Sequence, residues 1–168
     1  MAKMTDIPAP TIKWSDWLEK WKMSSLKVTV PFLEMEWKPQ DEDKGAAWEL
    51  YIELLTRITT QPLDSAHGDE KTALDSIHAL FSITRQILKA NTRNCIEFTK
   101  IAVIVLNQII RPFTAKWHRL SLQNAFDDAI RCDEFRSELI VLQEKLRIYT
   151  RMLADMAGVE DLTTLENE

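Results

Sequence analysis

The chain of 168 residues is 45% hydrophobic and 28% charged, with a formal net charge of −5. That length fits one domain, or one domain with an arm, and it can bury a core without disulfide or metal staples. A mildly acidic chain lacks the basic face that non-specific phosphate binding needs, and the three glycines, Gly45, Gly68 and Gly158, allow no glycine-rich phosphate loop, no dinucleotide fingerprint and few hairpin-rich sheets.

Residues 1–44 read as an N-terminal arm. The opening MAKMTDIPAP carries no basic-then-apolar signal pattern, and Cys95 and Cys132 form no CxxC pair, so the reading is a reducing cytoplasm with two free thiols. Trp14, Trp17, Leu18 and Trp21 fall at i, i+3, i+4 and i+7, one face of a short helix. Leu26, Val28 and Val30 then alternate, as do Leu33, Met35 and Trp37 after Pro31. Period two predicts extended segments, forming a small hairpin or a strap.

Residues 45–158 read as a helical bundle and residues 159–168 as a frayed tail. The first long helix is predicted over about 44–60, with Trp48, Tyr51, Ile52, Leu55 and Ile58 facing inward and the acidic run Asp41–Asp43 at its N-terminus, where negative charge complements the helix dipole. A turn-rich loop over 62–68 follows. The second helix, over 70–90, lines up Leu74, Ile77, Phe81, Thr84 and Leu88. The third starts near Cys95, and its run Ile101–Ile110 is apolar nearly all round, predicting the most buried helix. Ten residues interrupted by Asn107 and Gln108 fall well short of the roughly 20 needed to span a bilayer. Pro112 is expected to kink or restart the helix, because proline has no amide hydrogen and clashes with the preceding turn. Leu122, Phe126 and Ile130 fit a short helix. The last helix is predicted over 133–157, between an Asp133 N-cap and a left-handed Gly158 C-cap. It carries a heptad seam of Phe135, Leu139, Leu142, Leu146, Tyr149, Leu153 and Met156. Its outer face is predicted to hold Arg136, Gln143, Glu144, Arg147, Thr150 and Arg151.

Few residues carry chemistry. Asp75 and His78 stand at i, i+3 and read as a solvated pair. His67 has no neighbour at metal-ligand spacing, and no Glu-x-x-His motif or zinc constellation is present. Arg111 and His118 occur in the segment RPFTAKWH. This segment resembles the R-x4-6-H motif of the HEPN family, small helical-bundle proteins of which many are metal-independent ribonucleases of toxin and defence systems. The resemblance spans eight residues, and Pro112 stands where the family usually has a polar residue. It implies that His118 takes a 2′-hydroxyl proton, that Arg111 stabilises charge on the phosphorane, and that a dimer shares the site. Lys116 and Arg119 would add positive charge.

The sequence therefore predicts an all-α protein, an up-down four-helix bundle with a Trp-rich N-terminal arm. Its expected function is non-enzymatic: an adaptor, regulator or small subunit that docks a protein partner through Trp14, Trp17, Leu18 and Trp21, since Trp is enriched at interface hot spots. The alternative is a HEPN-like metal-independent ribonuclease with Arg111 and His118 as catalytic residues. RNA is a ligand only under that alternative. No metal, cofactor or DNA is expected, a membrane-surface role for the tryptophan face ranks last, and a homodimer is left open.

Overall fold

The computed structural model describes residues 11–166. It is 69% helix and 3% strand, an all-α chain. Two compact units divide at Lys38/Pro39, so the expected boundary at residue 44 falls inside the first long helix. The signal-region reading of residues 1–10 lies outside the described residues.

In the first unit β1 (Ile12–Lys13) pairs antiparallel with β2 (Glu36–Trp37), Ile12 opposite Trp37. Helix α1 (Trp14–Lys20) follows β1 directly, and α2 (Val30–Leu33) precedes β2. The alternating stretch from Leu26 is therefore not a strand: Pro31 lies in the first turn of α2, where its fixed φ suits a helix start. The unit's aromatic cluster has Trp14 edge-on to Trp17 at 5.4 Å and tilted against Phe32 at 4.9 Å, with Trp37 stacked on Trp17 at 4.8 Å.

The second unit contains α3 (Asp41–Leu55), α4 (Glu70–Ala90), α5 (Ile96–Val105), a π segment (Leu106–Ile110), α6 (Arg111–Ser121) and α7 (Ala129–Ala157). Asp43 ties two helix starts together: its buried carboxylate accepts from Gln40 N–H at 2.7 Å and from Phe98 N–H at 2.9 Å, the first turns of α3 and α5. Helix N-termini carry unpaired amides and a positive dipole end, so one carboxylate serves both. The inner face of α3 is Ala46, Ala47, Leu50, Tyr51 and Leu54; Trp48 and Ile52 are 43% and 41% exposed, which corrects the expected face. Bulk pointed to Trp48, whereas the 3-4 phase through Ala47, Leu50 and Leu54 decides which side packs. The helix ends at Leu55, and the hydroxyls of Thr59 and Thr60 each donate to Leu54 O at 2.7 Å.

On α4, Leu74, Ile77, Phe81 and Thr84 are buried as expected, whereas at the end of the face Ile87 is buried and Leu88 only half-buried. Helix α5 is less enclosed than its composition suggests: Phe98, Ile101, Ala102 and Val105 face inward, while Ile96 and Val103 stay exposed. Pro112 stands in the first turn of α6, where α geometry restarts after the π segment, as its sequence position led one to expect. The π segment runs straight into α6, with Arg111 N–H donating to Leu106 O five residues back. The wider turn relieves the clash that a proline imposes on an α-helix. Buried positions accordingly step by five from Val105 to Ile110 and then resume at Phe113, Thr114 and Trp117.

Residues 121–131 form no further α-helix before α7; Ala125–Asp127 is a 3₁₀ turn, and Leu122 and Ile130 are exposed. Helix α7 starts earlier than expected, at Ala129, because Asp128 rather than Asp133 is the N-cap, accepting from Ile130 N–H at 2.9 Å. Gly158 is left-handed at φ 69°, and Val159 N–H reaches back to Ala154 O at 3.1 Å. All seven seam residues are buried.

The expected outer face of α7 needs correction. Gln143 and Thr150 are buried. Gln143 Nε2 donates to Ile58 O at 2.6 Å and Gln61 O at 2.8 Å, and Arg147 Nε to Thr60 O at 3.2 Å. Arg136 holds the 62–68 loop through Asp64 O at 3.0 Å and Gly68 O at 2.9 Å, and pairs with Glu70 at 2.7 Å. These side chains satisfy carbonyls that a loop would otherwise leave unpaired. Nor is the tail frayed through residue 166: Tyr51 O–H donates to Glu160 O at 3.3 Å, Leu162 N–H donates to the Tyr51 oxygen at 2.7 Å, and Arg151 Nε reaches Thr163 at 3.1 Å. Asn167 and Glu168 lie outside the described residues.

Tyr149 is the exception in the seam. Its hydroxyl is buried without a hydrogen-bond partner, and burial pushes its pKa up. Removing an unsatisfied polar atom is neutral or favourable, whereas emptying a leucine site costs about 2–5 kcal/mol. In urea unfolding, Leu146→Ala is expected to lose that amount, and Tyr149→Phe to match or exceed the parent protein. A clearly destabilised Tyr149→Phe would mean that the hydroxyl has a partner in solution.

Candidate functional site

The helix through the π segment presents two faces outside the core, one toward α4 and one toward α7. On the first, Arg111 and His118 are seven residues apart, so they share a face but stand about two turns, roughly 10 Å, from each other. Arg111 is exposed. Its guanidinium lies 4.7 Å over the Phe81 ring, and its Nε and Nη2 donate to Asn107 Oδ1 at 3.2 and 3.1 Å. The intrahelical bond and the cation–π contact fix a long side chain that would otherwise wander.

Beside His118 stands a residue that the sequence reading set aside. The imidazole of His78 on α4 meets that of His118 edge-on, ring centroids 4.7 Å apart, and His78 also touches Phe81 at 5.6 Å. His118 Nε2 is 3.9 Å from Asp75 Oδ1, and Asp75 is bonded to Lys71 one turn earlier. Arg111, Phe81, His78, His118 and Asp75 thus form a continuous ladder along α4 and α6. The side chain of His118 is 34% exposed rather than packed away among apolar groups. Its pKa is lowered, first by partial burial, then by His78 and Lys71; Asp75 opposes this and is outweighed. Asp75 is a weak counterion here because Lys71 already engages it.

Lys116 does not join this ladder. It turns toward α7, where it bonds Glu138 and Glu134, and Trp117 Nε1 donates to Glu138 Oε2 at 2.8 Å. The opposite face of the same helix therefore borders a groove of about 510 Å³ against α7, lined by Ile109, Pro112, Phe113, Val141 and Lys145 among others. Val141 is 54% exposed.

The tryptophan face is corrected. Trp14, Trp17 and Leu18 are 0%, 0% and 1% exposed and Trp21 is half-buried, so they present no open docking surface. Aromatic stacking within the first unit already occupies Trp14 and Trp17. Cys95 and Cys132 are free thiols. Among the described residues no group of three or more His, Cys, Asp or Glu could hold a metal ion, and no helix is long and apolar enough to cross a membrane. Comparison with protein-family models, curated proteins and solved structures finds no match for this chain.

His78 was missed because its partner is 40 residues away in sequence; its own spacing showed only Asp75. The groove was missed because the heptad pattern sets Val141 outside the seam but does not show that α6 borders it.

The lowered pKa of His118 has a consequence for stability. Below the unfolded value of about 6.5 the unfolded chain binds more protons at this position than the folded one, so stability falls as pH drops toward the folded value and does not change with this group above 6.5. Urea unfolding at pH 7.5 and 5.5 is expected to show a smaller loss for His118→Asn than for the parent. Equal losses would mean that the folded protein does not disfavour the His118 cation.

Proposed function

We propose that this chain is an up-down four-helix bundle that works in the cytoplasm by protein–protein interaction, as an adaptor, regulator or small subunit, rather than as an enzyme. The observation that carries the reading is the groove beside Pro112, where Val141 leaves apolar surface open between α6 and α7. An amphipathic segment of a protein partner fits it: apolar side chains fill the floor over Ile109 and Pro112, and an acidic residue meets Lys145 at the rim. Contiguous exposed apolar surface rimmed by charge is a mark of interaction sites. Native mass spectrometry of the protein purified from its own host is expected to show a complex that Val141→Glu disrupts with folding intact. A parent protein found alone, or a complex that survives Val141→Glu, would remove this surface from consideration; a doubled mass would indicate a homodimer instead.

A second reading is favoured by a separate observation, the half-exposed His118 on the same helix face as Arg111. Under it the chain is a HEPN-like metal-independent ribonuclease of toxin or defence type, with RNA as substrate and no cofactor. Partial burial disfavours the His118 cation and so favours the neutral imidazole, the form needed to accept a hydroxyl proton. RNA cleavage in EDTA that disappears in His118→Ala tests it.

A further inference from the structure

We propose that His78 is the proton-transfer partner of His118, the two imidazoles acting as acid and base on one RNA phosphodiester, with Arg111 holding the strand. This rests on the ribonuclease reading and adds to it a residue that neither the RPFTAKWH segment nor its spacing points to. Three observations carry it. Arg111 is two turns from His118 and is engaged by Phe81 and Asn107, so within one chain it does not border the same atoms as His118. His78 does: its ring touches that of His118 at 4.7 Å, from the facing helix. Both imidazoles reach solvent, His78 being exposed and His118 half-exposed, so a strand can approach them.

Adjacent imidazoles repel when both are charged, and His78 is among the groups that disfavour the His118 cation. One neutral and one protonated ring is the composition that phosphodiester transesterification requires. The more enclosed His118 takes the neutral form and accepts the 2′-hydroxyl proton. The 2′-oxygen forms a bond to phosphorus as the bond from phosphorus to the 5′-oxygen breaks. The leaving 5′-oxygen receives its proton from the His78 imidazolium. The products are a 2′,3′-cyclic phosphate and a 5′-hydroxyl end, and the rings finish with exchanged protonation states that solvent resets. No oxidant, metal or co-reactant enters. The Arg111 guanidinium, always charged, pairs with a neighbouring phosphate and sets which bond lies at the histidines.

The test uses the full chain, EDTA, and a DNA oligonucleotide carrying a single ribonucleotide, so that only one 2′-hydroxyl is present. The parent protein is expected to cut once, leaving a cyclic phosphate, with a bell-shaped pH–rate profile. His118→Ala and His78→Ala are each expected to lose about 10²–10⁴-fold, the usual contribution of a general acid or base. Arg111→Ala is expected to act mainly on KM. His78→Gln, which keeps a polar side chain at an exposed position, guards against a folding artefact and should be equally impaired. If the parent and His118→Ala differ but His78→Ala and His78→Gln keep full rates and both limbs of the pH profile, the His78 assignment is wrong while the ribonuclease reading stands. If the parent does not cut, both fall.

Discussion

One extra residue in a helical turn controls what the second unit can present. A proline inside an α-helix loses a hydrogen bond and presses against the carbonyl four residues back. Here the π segment Leu106–Ile110 widens the turn just ahead of Pro112, and helical backbone continues without a gap from Ile96 to Ser121. The insertion shifts every later residue by one position, about 100° around the axis. With that phase, Ile110, Phe113 and Trp117 enter the core, Arg111 and His118 meet α4, and Pro112 borders the groove on α7. A regular helix would break this assignment, because it could not place both Val105 and Ile110 on the inner side. π segments recur at functional sites for the same reason: they rotate a surface without ending a helix.

The remaining architecture depends on side chains that satisfy backbone groups at a distance. Asp43 joins the starts of α3 and α5, Gln143 and Arg147 hold the loop after α3, and Arg136 holds the loop before α4. Glu138 binds Lys116 and Trp117 together, fixing α6 on α7. A helical chain with few turns concentrates its unpaired carbonyls and amides at helix ends, and three polar residues of the long helix α7 reach those between α3 and α4. The result is a cross-linked frame around two faces of a single helix, one holding paired histidines and the other an open apolar groove.

How much of this was readable in the sequence depends on range. The α7 seam was legible residue by residue because a 3-4 repeat held over three heptads admits one packing side. Asp41–Asp43 and Gly158 were legible as helix ends because capping chemistry is local. The α3 face was misread: Trp48 outweighed Ala46 and Ala47 by size, although small residues pack where helices approach closely. The π segment was hidden by the adjacent Ile109 and Ile110, either of which could continue the apolar stripe. Gln143 and Thr150 looked like solvent-facing residues because nothing local marks the loop carbonyl that Gln143 serves. The pairing of His78 with His118 is a purely tertiary event, set by the phase of α6 against α4. The tryptophan face failed for a related reason: its helical spacing was right, but Trp37 and Phe32, distant in sequence, already occupy it.

The central structural claim is that the π segment turns His118 onto His78. Histidine-ring NMR of the full chain tests it directly, by cross-relaxation between the two imidazoles and by their titration. The expected result is a cross-peak between the His78 and His118 ring protons, with the pKa of His118 rising toward its ordinary value when His78 is replaced by alanine, since a like charge has been removed. Absence of the cross-peak, together with a His118 titration indifferent to His78→Ala, would contradict the account.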